Sequence, residues 1–173
     1  MKLIPYHLRI NSGGDPFLIY MGTVDGDENP DLDKVPADPI LMVLLSPAGR
    51  DILRTSDIWL CDGTFKTAPS PFYQLYITFG QLNTGKVLPA TFSLLPSKDV
   101  GTYFRMWTVI QSKVDNHIPN TLVLDIEPAS SNAFVDVFGV AIYIVYCFFH
   151  FRKALRENLG DKHCLQVDNY YIP

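Results

Sequence analysis

Asp62 and Asp125 are the residues of this chain whose type and placement point first to chemistry. Each closes a run too apolar to carry a charge idly: Ile58-Trp59-Leu60-Cys61 precedes Asp62, and Thr121-Leu122-Val123-Leu124 precedes Asp125. A buried, unpaired carboxylate costs several kcal/mol, so each must meet a metal, a cation or the water of a cleft. If the two runs are neighbouring strands, about 4.8 Å apart, their carboxylates share an oxygen-ligated Mg²⁺ or Mn²⁺. Two such ions roughly 3.5–4 Å apart activate a water or a 3′-hydroxyl and stabilise the leaving oxygen of a phosphodiester. The plainer readings are structural: a type I′ turn at Asp62-Gly63 and a helix cap at Asp125, shortly before Pro128. Glu127, two residues after Asp125, is either an auxiliary metal ligand or an acid complementing the first turn of the next helix.

Cys147-Phe148-Phe149-His150 has the spacing of one arm of a zinc site, and His163-Cys164 can supply a second. The first arm lies among aromatics and the second has adjacent ligands, an awkward geometry for one tetrahedral ion. Zinc is therefore not expected, and the default is a small buried thiol with a hydrogen-bonded histidine at a strand-to-helix junction. Arg152, Lys153, Arg156 and Lys162, set against Glu157 and Asp161, make a modest basic helix. It reads first as a solvated face, with a DNA contact as the alternative.

Two further motifs fail on their chemistry. Gly80-Gln81-Leu82-Asn83-Thr84-Gly85-Lys86 has P-loop spacing up to the lysine, but Val87 lacks the hydroxyl that holds magnesium and the residues after it are β-rich where a helix is required. A hairpin turn remains, and no nucleotide cofactor is expected. Asp62-Gly63-Thr64 is like the aspartate loop of haloacid-dehalogenase phosphatases, yet the nucleophile's place is taken by Leu60, which cannot form an aspartyl phosphate.

The elements that must position these side chains follow from periodicity and turn residues. Ile58–Phe65, Tyr73–Leu82 and Val87–Leu95 are aromatic and β-branched, separated by Pro69, Pro71 and Asn83-Thr84-Gly85, and read as three antiparallel strands. Val100–Val114 carries Tyr103, Trp107, Ile110 and Val114 on one helix face, with Phe104 and Met106 filling in. Thr121–Asp125 reads as a central strand. Pro128 opens a helix lined by Ala129, Ala133, Phe134, Val137 and Phe138. Val140–Phe149 reads as a strand, and Phe151–Asn158 as a helix that Gly160 stops. The order predicts an α/β fold: a mixed five-stranded sheet with helices on its faces.

Three regions emerge. Residues 1–56 form an acidic, loop-rich approach segment in which Ile40–Leu53 reads as a helix that Pro47 divides into two pieces. Residues 57–160 form the core, and residues 161–173 a tail. With 173 residues, 47% of them hydrophobic, the chain suits one domain with a real core. Nine of its 18 acids, against five bases, lie in the first 60 residues, and no basic arm stands out. The apolar run Val137–Phe149 falls short of the ~20 residues of a membrane span, so no membrane partner is expected. The odd cysteine count (Cys61, Cys147, Cys164) and the absence of a secretory pattern at Met1–Ile10 predict an intracellular, reducing setting.

Taken together, Trp59-Leu60-Cys61-Asp62-Gly63-Thr64-Phe65-Lys66-Thr67-Ala68-Pro69, Tyr73-Gln74-Leu75-Tyr76, Leu94-Leu95-Pro96, Asp125-Ile126-Glu127 with Ala129, and Cys147-Phe148-Phe149-His150-Phe151 resemble the transposase domain of Mutator-like elements, the MULE domain, over about residues 57–160. The resemblance implies a ribonuclease H-like core with helices on both faces of the sheet and the first strand beside the fourth. It also implies a nuclear enzyme that cuts and joins DNA at element ends with an Asp, Asp, Glu triad and divalent Mg²⁺ or Mn²⁺, acting as a possible oligomer. On matching positions Asp62 is the first acid and Asp125 the second. Cys147 and His150 match the family's Cys/His motif, in a structural or DNA-facing role.

Ile126 and Tyr146 stand where the family usually has Phe and Gly, which changes little. The third acid is the larger departure. The family's glutamate comes after a helical insertion well beyond the Cys/His motif, and Glu157 is too close to that motif to be it. The expectation is a truncated or degenerate catalytic-core segment, inactive as it stands. The alternative is a domesticated or relict, non-catalytic interaction domain.

Overall fold

A computed structural model of the chain describes residues 9–26 and 40–159. The elements, in chain order, are β1 (Leu18–Thr23), β2 (Ile40–Leu45), α1 (Pro47–Thr55), β3 (Ile58–Thr64), β4 (Gln74–Gln81), β5 (Val87–Leu95), α2 (Val100–Lys113), β6 (Thr121–Leu124), α3 (Pro128–Phe138), β7 (Tyr143–Tyr146) and α4 (Phe148–Leu159). The strands form one sheet in the order β1-β2-β5-β4-β3-β6-β7. Pairing is antiparallel from β1 to β3 and parallel from β3 through β6 to β7.

The mixed α/β class agrees with the pattern of elements, but the sheet has seven strands where five were expected. The two additional strands lie in the approach segment. β1 pairs with β2, and β2 pairs with β5. Pro47 does divide Ile40–Leu53, yet its first piece is strand, not helix. Ile-Leu-Met-Val-Leu-Leu is an unbroken apolar run, which fits a strand buried between two neighbours as well as a helix; only the free edge of β5 decides. Beyond it, Ser46 accepts from the Gly49 N–H and Pro47 takes the first helical turn, so α1 begins where the strand ends.

Alternation builds the core. Trp59 and Cys61 of β3, Gln74, Tyr76 and Thr78 of β4, and Thr91 and Ser93 of β5 are buried. Against the apolar members of this face pack Leu53 of α1, Tyr103, Met106, Trp107 and Ile110 of α2, and Phe134 and Phe138 of α3. Trp107 meets Phe134 edge-to-face at 4.8 Å, and the Trp59 indole N–H donates to the Leu53 carbonyl. Phe104, expected on the buried face of α2, is exposed.

Helices on both faces were expected, but α1, α2 and α3 share this one core. On the other face Leu60, Phe79 and Val123 stay half-buried. α4 stands over the strand ends: Phe149 shares a hollow with Leu60, Phe79 and Val123, while Lys153 and Ala154 line the cleft of Tyr76 and Tyr103.

The predicted strand Val140–Phe149 shrinks to Tyr143–Tyr146, because its partner β6 offers only four residues. Cys147 donates its N–H to the Leu124 carbonyl and accepts from Phe151, closing the sheet and opening α4 in one residue. His150 therefore lies in the first turn of a helix. At Asn83-Thr84-Gly85, the Gly85 N–H bonds to Leu82 with Gly85 at a φ of 81°, and the strand β5 follows where a P-loop needs a helix.

Candidate metal centre

β3 and β6 run parallel with Ile58 opposite Thr121, Trp59 opposite Leu122 and Leu60 opposite Val123. The same register carried two residues further sets Asp62 against Asp125. Neither plainer reading of these acids holds. β3 continues as strand through Thr64, so Asp62-Gly63 is not a turn. α3 starts at Pro128 with Glu127 in the cap position and no side-chain cap, so Asp125 does not serve the helix.

His150 comes down from α4 onto both carboxylates. Its Nδ1 lies 2.5 Å from Asp125 Oδ1, and its Nε2 lies 3.8 Å from Asp62 Oδ1. One ligand atom from each of Asp62, Asp125 and His150 falls within 4.8 Å of the other two. Asp125 Oδ1 and His150 Nδ1 are buried, yet neither has a hydrogen-bond partner. They meet each other instead, as a short carboxylate–imidazole pair. Two carboxylates and an imidazole with donor atoms this close together are a set that fits a divalent cation.

The electrostatics favour the same reading. Burial pushes the Asp125 carboxyl above the usual carboxylate range, and Asp62 and Glu127 push it further, against the opposing pull of His150 and Lys153. A cation here would remove the cost of keeping the carboxylate ionised. Asp62 is half-exposed, so the cluster opens to solvent on one side.

A cleft of about 230 Å³ adjoins the cluster, lined by Gln74, Tyr76, Tyr103, Asp125, Glu127 and Lys153 among others. Its floor is polar and interlocked: Gln74 donates to the Tyr103 hydroxyl at 2.8 Å, and the Tyr76 and Ser130 hydroxyls are 2.8 Å apart. Beneath it, burial pushes the Cys61 thiol up to about 12, so this cysteine is a core residue and not a nucleophile.

Glu127 lines the cleft and stands outside the three-residue cluster. Cys147 is half-buried and also outside it, lining the hollow on the Phe149 side. His163 and Cys164 lie outside the described residues, as does the predicted tail. Two features escaped sequence reasoning. His150 joins the acids only because α4 begins three residues earlier than its apolar neighbours implied. The signal for the polar floor was Gln74 and Tyr76 at alternate positions of a strand, two hydrogen-bonding groups on a face that is otherwise core.

Among the described residues no helix is long and apolar enough to cross a membrane. No curated protein matches the chain. Residues 58–154 match the model of the MULE transposase domain, a span of more than half the chain that contains every residue of the cluster, and the chain belongs to that family.

Proposed function

We propose that this domain is the catalytic core of a Mutator-like DNA transposase, built on a ribonuclease H-like arrangement, in which Asp62, Asp125 and His150 hold a divalent cation. The observation that carries this reading is the convergence of three donor atoms, two of them buried, at the C-terminal ends of β3 and β6. The strand order supports it, since β3 and β6, the first and fourth strands of the expected core, are neighbours. When bound, the cation supplies Lewis-acid stabilisation of a phosphodiester and activation of an attacking hydroxyl. The side chains do the rest. Asp62 and Asp125 fix the position of the charge from two rigid strands. His150 sets its third contact from α4, and the cleft beside Glu127 and Lys153 gives the strand to be cut a place next to the cluster. Mg²⁺ or Mn²⁺ suits the carboxylates, and the imidazole tilts the choice toward Mn²⁺.

A second reading has its own observation: among the described residues the third member of the cluster is His150, not an acid. A site with one fewer negative charge binds a cation and turns over poorly, as a non-catalytic, DNA-interacting relict of the fold would. One experiment separates the two. The purified chain is incubated with supercoiled plasmid and Mn²⁺ beside Asp62→Ala and Asp125→Ala. Nicking abolished in both variants supports the enzyme. Mn²⁺ binding without nicking supports the relict, and neither binding nor nicking sinks the metal centre.

A further inference from the structure

Phe149, Arg152, Lys153 and Arg156 fall at i, i+3, i+4 and i+7 of α4, the spacing of a single helix face. In α2 the face with this spacing is apolar and buried, with Tyr103, Met106, Trp107 and Ile110 in the core. In α4 it holds one aromatic ring and three cations, all exposed, and the four residues line a groove of their own. Phe149 is 69% exposed. A flat apolar ring followed by three guanidinium or ammonium groups is complementary to a polymer that alternates flat π-faces with negative charges. Protein segments rarely offer that alternation, and a strand of nucleic acid always does.

The groove also leads somewhere. Lys153 lines both this groove and the cleft of Asp125 and Glu127, and Phe149 lines both this groove and the hollow of Asp62 and Cys147. His150, next to Phe149, touches the acids. At a rise of about 1.5 Å per residue the face from Phe149 to Arg156 is roughly 10 Å long, enough for two or three nucleotides. An exposed ring of this kind stacks only on a base that is unpaired.

We propose that this face of α4 is a track for single-stranded nucleic acid. A base stacks on Phe149, Arg152, Lys153 and Arg156 hold the phosphates, and the strand is led toward Asp62 and Asp125. Only the destination rests on the proposed function, since holding the strand needs no cation.

The test is fluorescence anisotropy with a labelled 15-nucleotide oligo-dT and the full 173-residue chain, in EDTA, over a salt series. The chain is expected to bind. Arg152→Gln with Arg156→Gln should weaken binding at least tenfold at low salt and flatten the slope of log affinity against log salt by about 1.4, or 0.7 for each lost phosphate contact. Phe149→Ala should weaken binding about tenfold and leave the slope unchanged. The double change Arg152→Lys with Arg156→Lys should restore most of the affinity, which excludes an unfolded helix as the cause. No binding by the parent chain, or equal binding by all variants, overturns the track. Equal affinity for duplex with no effect of Phe149→Ala overturns its single-strand character. Strand binding without Mn²⁺-dependent nicking leaves the track standing while the nuclease fails. Nicking that is indifferent to the α4 changes does the reverse.

Discussion

Asp125 and His150 meet at 2.5 Å, one at the end of a strand and the other in the first turn of α4. A divalent cation that both residues ligate would bind the folded chain and not the unfolded one, and so stabilise the fold. With Mn²⁺ at 100-fold above its dissociation constant, the folded chain should gain ~2.7 kcal/mol. For a domain of this size that is a rise in Tm of roughly 5–10 °C. His150→Ala should lower the Mn²⁺ affinity about tenfold or more. Calorimetric titration with Mn²⁺ checks this, and an unchanged affinity would remove His150 from the ligand set.

The raised Asp125 carboxyl has a sign that can be measured. The folded state holds the proton more tightly than the unfolded chain, so this group's contribution to stability falls as pH climbs through the carboxylate range and beyond. Removing the charge should therefore help more at high pH. In EDTA, Asp125→Asn should gain stability relative to the parent chain between pH 4 and pH 7, while losing all stabilisation by Mn²⁺. Denaturant midpoints at a series of pH values give the difference directly. A difference that shrinks with pH would mean that the carboxylate is favourably paired.

Cys61 and Cys147 should part company in their reactivity. With its thiol pushed up to about 12 by burial, Cys61 holds on the order of one thiolate in ten thousand at pH 8. Iodoacetamide should leave Cys61 untouched in the folded chain and label it only in denaturant. Cys147, half-buried at the mouth of the hollow, should react in the native state. Peptide mass mapping after a timed pulse reads both sites. Fast native labelling of Cys61 would place it outside the core.

Gly49 tests packing against propensity. It sits inside α1, where alanine is favoured over glycine by about 1 kcal/mol in an unencumbered helix. Here a methyl group would run into the carbonyl oxygen of Ala90 on β5, a backbone atom that cannot step aside without shifting the strand. Gly49→Ala is expected to destabilise by about 2 kcal/mol. Chemical denaturation measures it, and a more stable variant would show that α1 does not press on the sheet this closely.

How the sequence relates to the structure depends on the range of the physics involved. Local signals were sufficient for β3, β4, β5, α2 and α3. Alternation, the Asn83-Thr84-Gly85 turn and Pro128 act over a few residues and leave no competing solution. They were also sufficient to mark Asp62 and Asp125 as unusual, because a carboxylate ending an apolar strand is costly wherever that strand lies. Ile40–Leu45 and Val140–Phe149 show the limit. Each is a continuous apolar run, equally content as buried strand or buried helix, and the sheet edge offered by β5 or the short length of β6 makes the choice.

The candidate site divides in the same way. The amino-acid sequence by itself determined the two acids, the Cys147 and His150 spacing and the family. Only the tertiary structure brought a His150 nitrogen within 4.8 Å of oxygens of both acids, because that approach depends on where α4 begins and how it crosses the strand ends. A side chain's type is written in the chain. Its distance from a residue some ninety positions away, as between His150 and Asp62, is set by the packing of every element between them.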